Sequence, residues 1–425
     1  MSLEISRYSA RLIINKLGET GTPPESGVRH FSAGLDTYID VIKEEYLDNS
    51  LKMGLSSFKL LVGDYGAGKT HFLHVLREIS WKSNYSVSLV KLSPSSCPFD
   101  RLELVYKNIS AAIAPPPETD EIISFTETGI EYVLDNWFES VRNDFKIRLG
   151  VEDPDDYELK TQLRKYINSF RFSIESNSFK HAVKKYFQFS IDNDETSKSL
   201  LVAWLKGEAP TTKLLKEYLI FERLNKSSGF LFIRSLCQFI RDIGYNGLLI
   251  FFDEGERMSS ISGSKQKKIA LDNLRQIVDE AGNSRLPGVL FLYAVTPRVE
   301  VVEITEYPAL KDRLRASRNL SHINPLSVRI DIEQLDLSTG LLLEEIAVKL
   351  VQIYEIAYDH QFQPEIQEII KDFANYASEK TLTVNIRRLF IKSLISILHY
   401  IRSEKRTPSL DELKSIFVDT AAEVT

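Results

Sequence analysis

Short apolar runs bounded by turn residues recur along the chain and read as buried strands. They are Phe58 to Val62, Tyr85 to Leu92, Gly247 to Phe252 and Gly288 to Val295, with a weaker run at Val328 to Ile332. Between them the period changes. After the first run, Phe72, Leu73, Leu76 and Ile79 fall on one helical face. Strands alternating with helices predict a parallel sheet with both faces covered, an α/β fold. The second and third runs are too far apart for a simple crossover, so residues 99–240 are predicted to be an insertion. It opens after Cys97-Pro98 and is broken by Pro115-Pro116-Pro117. Its longest pattern, Ile130, Val133, Leu134, Trp137, Phe138, Val141, Phe145 and Leu149, is an amphipathic helix, and the whole insertion is expected to be helical. Asp153-Pro154-Asp155-Asp156 and Asp192-Asn193-Asp194-Glu195 read as acidic turns or helix starts. They lack the spacing of an EF-hand. Beyond about residue 334 the pattern is helical to the end. Its stripes are Leu341, Leu342, Ile346, Leu350 and Tyr354, then Ile366, Ile369, Ile370 and Phe373, then Leu389, Phe390, Leu394 and Ile397. The organisation expected is a lead-in over 1–50, a core from 51–98 and 241–333, the insertion at 99–240 and a C-terminal helical domain at 334–425.

Composition narrows the classes. The chain has 425 residues, 43% apolar and 26% charged, as in ordinary globular proteins. Disorder, collagen-like repeats and a disulfide-stapled miniprotein are excluded. No run of 18 apolar residues occurs, so no membrane span is expected, and the N-terminal stretch has no signal-peptide core. The two cysteines, Cys97 and Cys237, stand far apart and read as buried thiols of a reducing compartment. A net charge of −6 confines any nucleic-acid contact to a local basic patch. Lys265, Lys267, Lys268 and Arg275, with Lys405-Arg406, are the candidates for contact with DNA or RNA phosphates; a solvated face is the other reading.

The residues with a chemical message come in order. Gly63-Asp64-Tyr65-Gly66-Ala67-Gly68-Lys69-Thr70 fits the phosphate-binding pattern G-x-x-x-x-G-K-[ST], with a strand before it and a helix after it. Its glycines let successive N–H groups turn toward phosphates, and the helix N-terminus adds its positive end. Lys69 can reach the β- and γ-phosphates, and the Thr70 hydroxyl can ligand Mg²⁺. Leu248 to Phe252 is an apolar strand ending in Asp253-Glu254. Asp253 is expected to hold Mg²⁺ and Glu254 to act as general base toward water. Glu256 is either a further acid of the site or a surface charge. The next strand ends in Thr296, where a hydroxyl can contact the γ-phosphate or the attacking water, or simply be satisfied by the next turn. In Lys311-Asp312-Arg313-Leu314-Arg315, Arg313 or Arg315 sits where an arginine offered to a neighbouring subunit's phosphate would lie; a solvated basic helix end is the alternative. Arg387, in Asn385-Ile386-Arg387-Arg388, is placed to fold back on the nucleotide from the C-terminal domain. The segment Pro23-Pro24-Glu25-Ser26-Gly27-Val28 precedes the first strand and either covers the adenine or is a plain linker. His71 and His74 stand three apart but have no third metal ligand near in sequence. No GTPase-type base-reading motif is present, so ATP is the expected nucleotide.

These residues resemble a known group, the ATP-binding family of BREX anti-phage defence systems that contains BrxC and BrxD. The resemblance rests on Pro23 to Val28 before Ala33-Gly34-Leu35-Asp36, on Gly63 to Phe72 including His71, on Leu92-Ser93-Pro94, on Trp204-Leu205-Lys206-Gly207-Glu208, and on Ile243 to Glu256. It spans most of the first 330 residues. In length the chain is similar to the short standalone member. The resemblance implies an AAA+-like P-loop ATPase of the additional-strand class, with a C-terminal helical lid. It implies a cytoplasmic component of a defence island with helicase, nuclease or methyltransferase-like partners. The leading expectation is an ATP-hydrolysing switch or motor, assembled as a homo-oligomer. The alternatives are a nucleotide-dependent scaffold with little turnover and a DNA-binding loader whose C-terminal helices resemble a winged helix.

Overall fold

Among the described residues the five apolar runs form β1 (Ser57–Val62), β2 (Tyr85–Lys91), β4 (Gly247–Asp253), β5 (Val289–Val295) and β6 (Arg329–Asp331), and a short β3 (Ile113–Ala114) joins them. They make one sheet in the order β3-β2-β4-β5-β1-β6, parallel except for β3. The computed structural model describes residues 5–424 apart from 119–125, 209–211, 262, 284, 305, 315–317, 336 and 381–385. Arg315 and Asn385 lie outside the described residues.

Alternation along the strands divides the core. Phe58, Leu60 and Val62 of β1, Leu248, Ile250 and Phe252 of β4, and Phe291 and Tyr293 of β5 share one cluster with the insertion. Leu61, Leu249, Phe251, Leu290 and Leu292 face the other way, against Phe72, Leu73 and Leu76 of the helix Lys69–Lys82. Burial on both faces explains why the strands read as continuous apolar runs. The insertion adds aromatic weight. Trp137 of the helix Ile130–Leu149 lies 4.8 to 6.0 Å from the rings of Phe170, Phe172, Phe187 and Phe239. The acidic turns start helices. Asp156 accepts the Leu159 N–H at 2.9 Å and Asp194 accepts the Ser197 N–H at 3.1 Å. Each such cap is worth about 1 kcal/mol.

Two details depart from the sequence pattern. The insertion is not wholly helical, because Ala114 and Ile113 pair antiparallel with Val87 and Ser88 at the sheet edge. A two-residue strand is too short to show a period, and Pro115 ends it. Leu341 is 56% exposed, whereas Leu343 is buried. Leu341 belongs to the first helical turn after the cap Ser338 and lies outside the packed stripe.

The N-terminal helix Arg7–Thr20 has no clear signature in the pattern, and it packs far from its sequence neighbours. Ala10, Ile13, Ile14 and Leu17 share a core with the C-terminal helices Thr339–Tyr358, Ile366–Ser378, Ile386–Glu404 and Leu410–Val424. Val28, Phe31 and Ala33 of the lead-in belong to the same core. Both ends of the chain therefore build one helical body over the carboxyl ends of the strands. Among the described residues, no helix is long and apolar enough to cross a membrane.

Candidate functional site

A cavity of about 1080 Å³ opens between the strand ends and this helical body. Ligands of open α/β sheets sit at this end of the strands. The floor is the P-loop with Asp253 and Glu254. The roof comes from the lead-in (Gly21, Pro23, Phe31, Ala33) and from Leu342, Ile346 and Arg387 of the C-terminal helices.

The P-loop follows β1 directly. Gly66 and Gly68 have φ of 77° and 101°, a backbone that side chains resist. At Gly63 a Cβ would meet Ile332 Cγ1 at 2.7 Å, so only glycine lets the loop turn there. Gly68 caps the helix Lys69–Lys82 without any side-chain acceptor. The first N–H groups of that helix are thus left to an anion. Lys69, 7% exposed, donates to the carbonyls of Gly63 at 2.7 Å and Asp64 at 3.0 Å. Across the floor, the Thr70 hydroxyl donates to Asp253 Oδ2 at 2.6 Å. The order β4-β5-β1 sets one strand between the P-loop and this carboxylate. Asp253 is 2% exposed, and its other oxygen accepts the Glu254 N–H at 2.9 Å. Glu254 has φ of 58° and its Oε2 lies 3.0 Å from Arg257 Nε. Glu256 is buried in the cavity wall, which removes the surface-charge reading.

The roof is fastened to the floor by polar contacts, most of them from the helix Lys69–Lys82. His71 donates from Nε2 to the Ser32 hydroxyl, 2.6 Å away, and that hydroxyl donates to the Val28 carbonyl at 2.7 Å. His74 Nδ1 lies 3.1 Å from the Glu25 carbonyl, to which Arg77 also donates. Glu78 accepts the Val28 N–H at 3.1 Å. Burial, aided by Arg387, pushes His71 down to about 4; burial and then Arg77 push His74 down to about 3. Both rings are neutral hydrogen-bonding groups at pH 7. From the C-terminal side, Lys349 Nζ donates to the Ser32 carbonyl at 2.5 Å. Arg387 donates to the Ala67 carbonyl within the P-loop and, at 3.4 Å, to Ile332. Two arginines in the first turn of a helix oppose its dipole. Carbonyls offset that here, since Arg388 Nε donates to Thr20 at 2.8 Å.

The sequence candidates divide accordingly. Tyr65, Gly66, Ala67, Gly68, Lys69, Thr70, His71, Asp253, Glu254 and Arg387 all line the cavity. Gly63 and Asp64 stand behind the loop as acceptors for Lys69, and the Asp64 N–H donates to Glu333 at 2.9 Å. Thr296 is 5% exposed at the end of β5 but stands outside the cavity wall. Arg313 also stands outside it, ion-paired with Asp279 of its own chain. The basic patch is interleaved with acids: Lys267 pairs with Glu303 at 2.9 Å, Arg275 with Asp279 at 3.5 Å, and Arg406 with Glu412. The sequence pattern gives no sign of Arg77 and Glu78. For Arg257 the only signal is its place three residues after Glu254.

The chemistry of this donor set fits a magnesium nucleotide. A glycine cradle, a helix N-terminus and a buried lysine match phosphates. A hydroxyl and a carboxylate that already meet at 2.6 Å are hard oxygen ligands of the kind Mg²⁺ takes. Among the described residues no three metal-ligating side chains converge, so the remaining ligands would be phosphate and water oxygens. A model of the family described as BREX system ATP-binding protein BrxC/D matches residues 5–415. No curated protein and no solved structure matches the chain. The match runs from the N-terminal helix to the last C-terminal helix, and so takes in both floor and roof. The chain belongs to the family of BREX system ATP-binding proteins BrxC/D.

Proposed function

We propose that the protein hydrolyses ATP and uses the cycle as a switch or motor in anti-phage defence. The observation that carries this is the meeting of Lys69, Thr70, Asp253 and Glu254 on one floor, with Arg387 reaching that floor from the roof. Bound Mg²⁺-ATP supplies a phosphoanhydride whose cleavage needs positioning and charge neutralisation more than covalent help. The P-loop N–H groups orient the phosphates, and Lys69 exchanges its two carbonyl partners for phosphate oxygens. Thr70 and Asp253 hold the cation. Glu254 accepts a proton from the attacking water at its carboxylate. Arg387 exchanges the Ala67 carbonyl for phosphate, and so ties the C-terminal helices to the state of the nucleotide. In this reading Arg313 or Arg315 of a neighbouring copy completes the charge, Thr296 orients water, and DNA-processing proteins of the defence island are the partners.

A nucleotide-dependent scaffold with little turnover is the second reading. The observation favouring it is that Glu254 is engaged by Arg257 and Arg313 by Asp279. Steady-state phosphate release separates the two. It should be measured for wild type, Lys69→Ala and Glu254→Gln, with and without duplex DNA, alongside mass by light scattering. Turnover lost in both variants, with an ATP-dependent oligomer, supports the switch. Tight binding without turnover in a monomer indifferent to DNA supports the scaffold.

A further inference from the structure

We propose that Arg257 is a positioning residue that holds Glu254 until the γ-phosphate draws it away, so that the chain distinguishes ATP from ADP before the base is released. This deepens the proposed hydrolysis and rests on Glu254 being its base.

The backbone creates the pair. β4 ends at Asp253, whose Oδ1 accepts the Glu254 N–H at 2.9 Å. Glu254 then turns through φ of 58°, a left-handed conformation uncommon for a side chain of its size. Gly255 is pressed against β5, where a Cβ would meet the Ala294 carbonyl oxygen at 2.5 Å. The Glu254 carbonyl accepts the Arg257 N–H at 2.9 Å. That turn returns Arg257 to the side of Glu254, with Nε 3.0 Å from Oε2.

Among the described residues, the four arginines of the cavity wall differ in what they hold. Arg77 donates to the Glu25 carbonyl, Arg387 to Ala67 and Arg388 to Thr20. Each of those fastens main chain. Arg257 instead holds the carboxylate proposed as base. Among the described residues its Nη groups make no hydrogen bond to protein, and the side chain is 56% exposed. An exposed ion pair is weak and readily exchanged. A guanidinium whose Nη groups are open suits a phosphate carrying extra charge. The γ-phosphate brings that charge and ADP lacks it. Transfer of Arg257 from Glu254 to the γ-phosphate frees the carboxylate for water at the moment a cleavable bond is present.

The test is a pair of binding constants, independent of turnover. Affinities for ADP and for the non-hydrolysable imido analogue of ATP are measured by calorimetry on the full chain. Arg257→Ala should weaken the analogue about tenfold and leave ADP unchanged, and Arg257→Lys should restore part of the loss. Glu254→Gln removes the competing carboxylate and should tighten the analogue a few-fold relative to ADP, an effect absent when Arg257→Ala is added. A fall of both nucleotides together would mean a merely structural role and would overturn the proposal. So would an analogue-to-ADP ratio unmoved by Arg257→Ala. If the ratio shifts as expected in a chain without turnover, recognition of the γ-phosphate by Arg257 stands and the hydrolysis reading fails; normal turnover with an unmoved ratio is the reverse.

Discussion

The floor and the roof of the cavity are made in opposite ways. The floor is local. Gly63 to Thr70 and Asp253-Glu254 are two short segments at the ends of β1 and β4, held in register by the sheet. The roof is remote. It joins the helix Arg7–Thr20 and the lead-in to helices that begin more than 300 residues later, and its grip on the floor passes through His71, His74, Arg77, Glu78 and Arg387. In the proposed cycle, bond cleavage belongs to the floor and its communication to the roof. Substitutions should therefore separate into those that stop chemistry and those that uncouple it.

The largest expected effect is on the floor. Glu254→Gln keeps the shape and removes the proposed base, and should lower kcat by about 10² to 10⁴ while ATP binding is retained. Equal losses in binding and turnover would make Glu254 a structural residue. Lys69→Ala removes a buried charge partner for the phosphates and should weaken ATP by about 100-fold, read by calorimetry. A smaller effect belongs to the roof. Arg387→Ala should weaken ATP by about tenfold, the worth of one charge-assisted contact after solvent exchange, and leave the P-loop intact. A loss as large as that of Lys69→Ala would erase the distinction between the two regions.

Acidity offers a gentler separation, because each region carries buried basic groups that titrate in its own window. In the roof contacts, His71 and His74 are lowered to about 4 and about 3 from an ordinary 6.5. The unfolded chain binds their protons first, so their contribution to stability is present above pH 6.5 and is lost as pH falls toward 4. Behind the floor, Lys59 of β1 is 1% exposed and donates to Tyr46 Oη at 2.5 Å and Ser327 O at 2.6 Å. Burial lowers it to about 7 from 10.5. Here too the unfolded state binds the proton more tightly, so stability should rise between pH 7 and 10.5 and be flat in this contribution below 7. Thermal melts across pH 4 to 10 should show both limbs. Lys59→Met should flatten the alkaline one alone, and His74→Gln should reduce the acid one alone.

The same contrast explains which parts of the molecule are legible in the sequence. The floor is legible because its residues are adjacent in sequence and demanded by one ligand. The four main parallel strands are legible because burial on both faces leaves long apolar runs, and β6 shows as the weaker fifth run. The lead-in is ambiguous from its residues, since Pro23 to Val28 has no period. Its place in the cavity wall depends on Glu78 and Arg77, charged side chains on a helix whose visible stripe is Phe72, Leu73 and Leu76. The N-terminal helix docks on partners beyond residue 338, and no local pattern encodes that distance. β3 is hidden by its length. Arg257 is hidden because a place three residues after Glu254 means nothing until Glu254 adopts a positive φ.

The central claim is that ATP joins roof to floor through the P-loop and Arg387. Hydrogen–deuterium exchange with and without the non-hydrolysable analogue tests it most directly. The account predicts joint protection of residues 63–70, 21–34 and 386–404 in the wild type, and protection of 63–70 alone in Arg387→Ala. Protection confined to 63–70 in the wild type, with the roof segments exchanging as they do without nucleotide, would contradict it.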